Sequence, residues 1–189
     1  MDKITPVYWH QGMLLQPQHF QMESQYLQSR QNRIDQLTRN EYWGLKDIHI
    51  QIDELEQGRL VVSGGEFFFP EGSVFRVPQE ATVLTRVLDD ESIPAGRTTN
   101  IYLGIKRWQR EGANADEMAR DQLSNALESR FYIPEDVDSV PDLYGKGLNA
   151  DVRSMKFLVK IFLNQSLNTS VTTTFYPLRA LSMKVEHSA

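Results

Sequence analysis

Histidines are the residues of this chain with the widest chemical use, because imidazole binds metals and transfers protons near neutral pH. The four stand at His10, His19, His49 and His187. No two are four residues apart and none lies in an HExxH pattern, so no pair shares a helical face as a zinc enzyme requires. We therefore expect no metal site. We also expect His19 to pack or hydrogen-bond rather than to act as a catalytic base.

Other patterns that carry chemistry are absent or incomplete. The chain has no cysteine, which excludes thiolate nucleophiles and Cys-ligated metals. It contains no G-x-S-x-G and no phosphate-binding loop, and Gly64-Gly65 instead predicts a β-bulge or bend. The run Glu135-Asp136-x-Asp138 lacks the glycine and the closing glutamate of a calcium loop. We expect no catalytic residue and no cofactor. A carbohydrate-binding or hydrolytic β-sandwich module is the alternative. Acid pairs do not argue for it, because a sequence with many surface acids always offers such pairs.

An apolar segment beside the N-terminus is the strongest candidate for a binding element. Residues near a terminus are poorly ordered unless something ties them down, so side chains this apolar should pack on the fold or on another chain. Gly12 permits a turn with positive φ, and Pro17 suits the first turn of a helix. We predict a protein interface formed by six residues: Tyr8, Trp9, Met13, Leu14, Leu15 and Phe20.

A long helix is predicted over residues 18–39, which contain neither glycine nor proline. Its apolar residues form a narrow stripe that we expect to be buried together, across a sheet or along a sister subunit. Gln21, Gln25 and Gln28 should stay in water. A long coiled coil is disfavoured, because Glu23 and Arg30 occupy the second apolar position of the heptads. The apolar stripe consists of Phe20, Leu27, Ile34 and Leu37.

Beyond residue 44 the hydrophobic pattern alternates with period two, which is typical of half-buried strands. Residues 116–129 fit either a short helix or a loop. Residues 134–147 are predicted to form a loop, and residues 164–174 a connection between the two strands of a hairpin. The predicted fold is mainly β: an antiparallel β-sandwich-like domain over 45–186, with one long N-terminal α-helix in the unit 1–44. The predicted strands are 48–52, 60–69, 74–77, 82–88, 99–108, 131–133, 155–163 and 175–185.

Charge and hydropathy limit the classes of partner. The formal charge of −5 is unevenly spread: residues 111–142 hold nine acids and two bases, whereas 152–186 carry +4. Neither segment is a dense basic stripe, so we expect no nucleic-acid binding. No apolar run approaches the roughly 20 residues of a membrane-spanning helix, and the N-terminus lacks the pattern of a secretory signal. We expect a cytoplasmic protein with no direct membrane insertion.

The N-terminal segment also resembles a known signature. The pattern Trp9-x-x-Gly12-Met13-x-Leu15-x-Pro17-Gln18-His19-Phe20-Gln21 is similar to the start of TssK, the baseplate subunit of bacterial type VI secretion systems. Within it, Gly12, Pro17, Gln18, His19 and Gln21 form the structural motif. Gln11 departs from the family, which often has an acid there. Weaker similarities are Phe69-Pro70-Glu71-Gly72, where relatives often show Asp before the Gly, and Glu128-Ser129-Arg130-Phe131.

The resemblance implies a function as well as a fold. It implies the shoulder domain of TssK, similar to that of phage receptor-binding proteins, in a homotrimer that docks on the TssF–TssG wedge. In full-length relatives a helical region and a C-terminal head follow, and the head contacts TssL and TssM of the TssJ–TssL–TssM membrane complex. The implied protein is a structural adaptor without catalysis, and the implied chain is a fragment of a longer one.

Overall fold

The computed structural model describes residues 4–38, 43–88, 98–109, 111–119, 122–123, 129–145, 147–163 and 175–184. The first elements are α1 (Pro17–Thr38), β1 (Gly44–Ile50), α2 (Ile52–Glu56), β2 (Arg59–Leu60), β3 (Val62–Phe68), β4 (Val74–Val77), β5 (Ala81–Val83) and β6 (Arg86–Val87). The later strands are β7 (Thr98–Lys106), β8 (Ala115–Glu117), β9 (Phe131–Ile133), β10 (Asp138–Val140), β11 (Ala150–Val152), β12 (Lys156–Leu163) and β13 (Phe175–Lys184).

Two larger sheets make up the body of the protein. One contains the antiparallel strands β1-β3-β4, and the other runs β13-β7-β12-β9-β8, with β5 paired to β12. Two small ribbons, β2-β6 and β10-β11, complete the described strands. The predicted class is confirmed: a mainly β protein with antiparallel sheets and one long N-terminal helix. Two pairs, β5 with β12 and β8 with β9, are parallel. The division into units 1–44 and 45–186 stays a prediction.

One hydrophobic core joins both larger sheets. From the six-stranded sheet, alternate residues of β7 face those of β12, as in the pairs Val159 with Ile105 and Ile161 with Leu103. From the three-stranded sheet come aromatic rings, with the Phe69 and Phe75 centroids 5.4 Å apart. Burying each such side chain stabilises the fold by roughly 1.5–3 kcal/mol. Phe67 and Phe69 both belong to this core, since both are fully buried.

The order of the strands at one edge differs from the prediction. Residues 164–174 were expected to join β12 and β13 as a hairpin, and they lie outside the described residues. The two strands do not pair as a hairpin, because β7 lies between them and pairs with both. Gly104 of β7 makes room for this order: a Cβ there would come within 2.6 Å of the Phe162 ring. The rings of Phe162 and Phe175 meet edge to face over it, with centroids 5.1 Å apart.

Three other strand predictions need correction. The strand predicted at 60–69 is divided into β2 and β3, which belong to different sheets. The strand predicted at 48–52 ends at Ile50, and Ile52 begins the short helix α2, where Asp53 and Glu54 favour a helix N-terminus electrostatically. The strand predicted at 82–88 is divided into β5 and β6. The predicted loop 134–147 contains β10. The strand predictions at 74–77 and 131–133 are confirmed with the expected bounds. The segment 116–129, predicted as a short helix or a loop, begins in strand β8 instead, and half of it (120–121 and 124–128) lies outside the described residues.

Candidate protein-interaction surface

The start of helix α1 is organised by the predicted motif. Pro17 is the first helical residue, where its missing N–H costs nothing. The backbone N–H of Gln16 donates to Nδ1 of His19 at 3.1 Å, and the N–H of His19 donates back to the Gln16 carbonyl, also at 3.1 Å. This exchange resembles a capping box, in which the third helical residue bonds the cap residue. His19 therefore has the hydrogen-bonding role expected of it.

The arm, defined as residues 7–16, turns at Gly12 and returns toward the helix. Gly12 has a φ of 83°, which confirms the predicted positive φ at a place where a Cβ would be strained. The N–H of Val7 donates to Oε2 of Glu23 at 3.4 Å. The Trp9 ring lies 6.3 Å from His19 and 6.2 Å from Phe20. The arm thus forms an aromatic cluster at the helix start.

The side chains of this cluster remain largely open to solvent. Tyr8 is 81% exposed, Leu14 79% and Trp9 45%, whereas Met13 is half-buried. Leu15 and Phe20 are exposed as well. Burial of the arm inside its own fold, one of the two expected outcomes, is therefore wrong. The other outcome, a protein interface made by the arm, stays a prediction.

The apolar stripe of α1 also points away from its own domain. Phe20, Leu27 and Ile34 are each about half exposed and Leu37 more so, so the prediction that they are buried together is wrong for the single chain. The helix buries Asn32 instead, which is 6% exposed. Gln21 and Gln28 are exposed as predicted. Gln25 is half-buried, which corrects the expectation that it stays in water.

A polar junction connects the helix to the β-domain. Nδ2 of Asn32 donates to the Glu71 carbonyl at 2.6 Å. Oε1 of Glu71 lies 2.6 Å from Nη2 of Arg130, which also donates to Oγ of Ser73 at 2.7 Å. Nη1 of Arg130 donates to the Lys106 carbonyl at 2.5 Å. Because Arg130 and Ser73 are buried, these contacts are charge-assisted hydrogen bonds in a low-dielectric setting.

The junction brings together the two weaker similarities found in the sequence. The turn around Gly72, φ 97°, approaches the helix so closely that a Cβ there would lie 2.6 Å from Cγ of Asn32. Arg130 lies over the rings of Phe131 and Phe157, at 5.6 and 5.4 Å. Sequence reasoning missed Asn32 entirely. A polar residue on the helix face opposite the apolar stripe was the signal available for it.

The remaining sequence candidates do not converge on a site. His49 is exposed on β1, with Nε2 3.2 Å from Oδ2 of Asp47. His10 is exposed in the arm, and His187 lies outside the described residues. Over the described part of the chain, no three histidine or acidic side chains gather as a metal site needs. No helix there is long and apolar enough to cross a bilayer.

The sequence of this chain matches one protein family. The family model "Bacterial Type VI secretion, VC_A0110, EvfL, ImpJ, VasE" matches residues 19–175. The type VI secretion system baseplate component TssK1 of Pseudomonas aeruginosa is 28% identical over 99 residues, which are 52% of this chain and 22% of that protein.

Solved structures agree with that match. A crystal structure of TssK superposes with a TM-score of 0.76 at 20% identity, covering 94% of this chain and 38% of that one. A chain of a TssK-TssF-TssG baseplate subcomplex, solved by cryo-electron microscopy, gives 0.77 at 16% identity, covering 96% and 56%. The chain therefore spans well under two thirds of each of these relatives. Since the family match covers most of its residues, the chain belongs to the bacterial type VI secretion family of VasE and ImpJ, as the TssK-like signature predicted.

Proposed function

We propose that this chain is a structural adaptor of the type VI secretion baseplate and docks on TssF–TssG. The observation that carries the proposal is the open apolar surface of the arm and α1, on a chain whose relatives include a baseplate component. Support for the partner comes from the fold likeness to a chain solved together with TssF and TssG. Catalysis is not part of this role.

The arm is the proposed contact with TssF–TssG. It joins Tyr8, Trp9 and Met13 in one short segment, and such residues are enriched at interface centres. Residues 7–16 carry no acid, lysine or arginine. Burial of apolar area there, at about 25 cal/mol per Å² before ordering costs, supplies the driving force. Because few charges are involved, binding through the arm is only weakly sensitive to salt.

The apolar stripe of α1 is the proposed contact between three copies of the chain. Phe20, Leu27 and Ile34 repeat every seven residues, which keeps them on one side of a helix that packs along another helix. The polar junction at Asn32 holds the opposite face of α1 on the β-domain. A homotrimer would cover the stripe without moving the helix.

The wider role follows from the same family. In the cytoplasm, at a baseplate docked to the inner membrane, the full-length protein would link TssF–TssG to the TssJ–TssL–TssM membrane complex. Contacts with TssL and TssM belong to regions of the relatives that this chain does not cover.

A pull-down with TssF–TssG tests the proposal. Wild type should be retained at low and at high salt, whereas Trp9→Ala/Met13→Ala should be lost. The matched control is Val74→Ala, an exposed apolar residue on β4, which should bind like wild type. Equal retention of the arm variant would show that the arm is not the binding element, and failure of wild type to bind at all would refute the adaptor role.

The mass in solution tests the trimer separately. Wild type should sediment as three chains, and Leu27→Asp should sediment as one, because a charge in an apolar contact is strongly unfavourable. Both proteins should have similar melting temperatures as single chains, since Leu27 is half exposed. A wild-type monomer at high concentration would contradict this contact.

A further inference from the structure

A second open surface lies far from the arm in the sequence, on the β10–β11 hairpin. Its strands pair Asp138 with Val152 and Val140 with Ala150, antiparallel. Every described residue from 135 to 155 is exposed. In the described part of the chain these two strands pair only with each other. A two-stranded ribbon without a packed face is marginally stable in water, so the hairpin gains from being covered.

Polar contacts give the hairpin a defined shape without using its apolar side chains. At the tip, Oδ1 of Asp142 accepts from the N–H groups of Tyr144 and Gly145 at 3.0 and 3.1 Å. At the base, Nη2 of Arg153 donates to Oε1 of Glu117 at 2.7 Å and to the Pro134 carbonyl at 3.3 Å. The turn is therefore built by one aspartate, and the ribbon is tied to β8 by one arginine.

The apolar side chains that these contacts leave open are concentrated at the tip. Leu143 is 81% exposed, Tyr144 101% and Leu148 96%, and Val140 and Val152 lie behind them on the strands. Several exposed apolar side chains in one short segment mark an interaction site more often than scattered exposed residues do. Tyrosine in particular is favoured at interface hot spots.

The segment that carries this apolar tip is mainly acidic, although Lys146 stands between Tyr144 and Leu148 in the sequence. Residues 135–155 hold five acids and two bases, a formal charge of −3. One of the bases, Arg153, is engaged with Glu117 outside the hairpin. Acids that surround apolar residues steer a partner whose own apolar cleft has a basic rim, and they repel acidic surfaces. The partner chemistry that fits is thus an apolar cleft bordered by Lys or Arg.

We propose that the β10–β11 hairpin is a second docking element, which inserts its Leu143–Tyr144–Leu148 tip into a basic-rimmed apolar cleft of TssF–TssG. The inference rests on the proposed adaptor function and names another part of the contact. The uncharged arm and the acidic hairpin would then make contacts of different salt dependence with one partner. The apolar tip supplies affinity, and the acids supply orientation and association rate.

The test measures binding of the purified chain to TssF–TssG with three variants. Leu143→Ser/Leu148→Ser should weaken the Kd by about thirtyfold, as loss of a hot spot does. Its melting temperature should be unchanged, because both side chains are exposed. The matched control Val74→Ser/Val87→Ser makes the same kind of change at two exposed residues elsewhere and should bind like wild type. Asp136→Asn/Asp151→Asn should reduce the fall in affinity between about 0.05 and 0.5 M salt.

The outcomes separate this inference from the function on which it rests. If wild type binds and the Leu143→Ser/Leu148→Ser variant binds equally well, the hairpin is not a docking element, although the adaptor role stands. If wild type does not bind TssF–TssG, both are refuted. If the variant binds normally but loses self-association in sedimentation, a second copy of the chain covers the hairpin and the proposal is overturned.

Discussion

The β-core and the N-terminal arm with its helix use similar residues in opposite ways. Phe67, Phe69 and Phe75 are almost completely buried between the two larger sheets, whereas Trp9 and Phe20 pack on each other in the open. The difference does not come from hydrophobicity, because both regions are rich in aromatic rings. It comes from what holds each region in place: apolar packing on both sheets in the core, and a polar junction for α1.

The junction explains why the helix keeps its apolar stripe outward. An isolated amphipathic helix would turn its stripe toward the nearest hydrophobic surface. Here the buried amide of Asn32 is bonded to the Glu71 carbonyl, and the Glu71 side chain is bonded to Arg130. Turning the helix would break the bond between Asn32 and the Glu71 carbonyl and leave buried polar groups unsatisfied, which costs about 1–3 kcal/mol for each group. Because the polar junction holds the opposite face of α1, the apolar stripe stays exposed and is available for contact with another chain.

The largest expected effect contrasts the two regions directly. Phe75→Ala should lower the free energy of unfolding by about 3–5 kcal/mol, because it leaves a cavity in a packed core. Phe20→Ala should change it by less than about 1 kcal/mol, since the ring is about half exposed. Urea unfolding of the two variants measures both values. Equal losses of free energy would mean that the start of α1 is packed as tightly as the core, which would contradict the comparison of the two regions.

The next effect concerns the junction. Arg130→Ala removes the partner of Glu71 inside the fold, and breaking a buried ion pair costs about 3–5 kcal/mol. The exposed pair Arg153–Glu117 supplies the control, because an exposed ion pair contributes about 0–1 kcal/mol. Arg153→Ala should therefore change the free energy of unfolding by no more than about 1 kcal/mol in the same experiment. If Arg130→Ala left the free energy of unfolding unchanged, the Glu71–Arg130 pair would not stabilise the fold.

A smaller effect is expected at the contact between helix and turn. Asn32→Ala leaves the Glu71 carbonyl without its donor and should cost about 1–3 kcal/mol. Relative to wild type, amide hydrogen exchange should become faster along α1 but not in β7 and β12, since the helix loses its anchor and the sheet does not. The matched control Gln31→Ala, at the exposed neighbouring position, should leave the exchange rates unchanged. Uniform acceleration in all elements would count against a local anchor.

The smallest effect is a pH dependence within the three-stranded sheet. A hydrogen bond from Lys46, at 2.8 Å, keeps the pKa of Glu66 below its ordinary value; partial burial opposes the shift and Arg76 adds to it. A lowered folded-state pKa stabilises the protein above the ordinary carboxyl pKa, and the stabilisation is lost as pH falls through the folded value. The stability difference between wild type and Glu66→Gln should shrink below about pH 4. If the stability difference between wild type and Glu66→Gln instead grew as the pH fell, the pKa of Glu66 would not be lowered in the folded state.

Local features of this protein could be predicted from its sequence. The helix was expected at 18–39 and is found at Pro17–Thr38, because proline at its start and the lack of helix breakers act within a few residues. Positive φ at Gly12 and the strand Val74–Val77 were predicted for the same local reasons. The hairpin β10–β11 was missed, since Pro, Asp and Gly over 134–147 predict turns where β10 forms, and β11, at Ala150–Val152, is only three residues long.

The sequence by itself determined which residues are apolar, with what period, and therefore that a striped helix and a β-rich domain form. Only the tertiary structure decided which way the stripe points and which strands become neighbours. The contacts that settle these questions join residues far apart in the chain, such as Asn32 with Glu71 and Glu71 with Arg130, separated by 39 and 59 residues. The hydrophobic period shows which face of a helix or strand is apolar. Which face is turned toward the rest of the protein depends also on buried polar bonds between elements, which the period does not show.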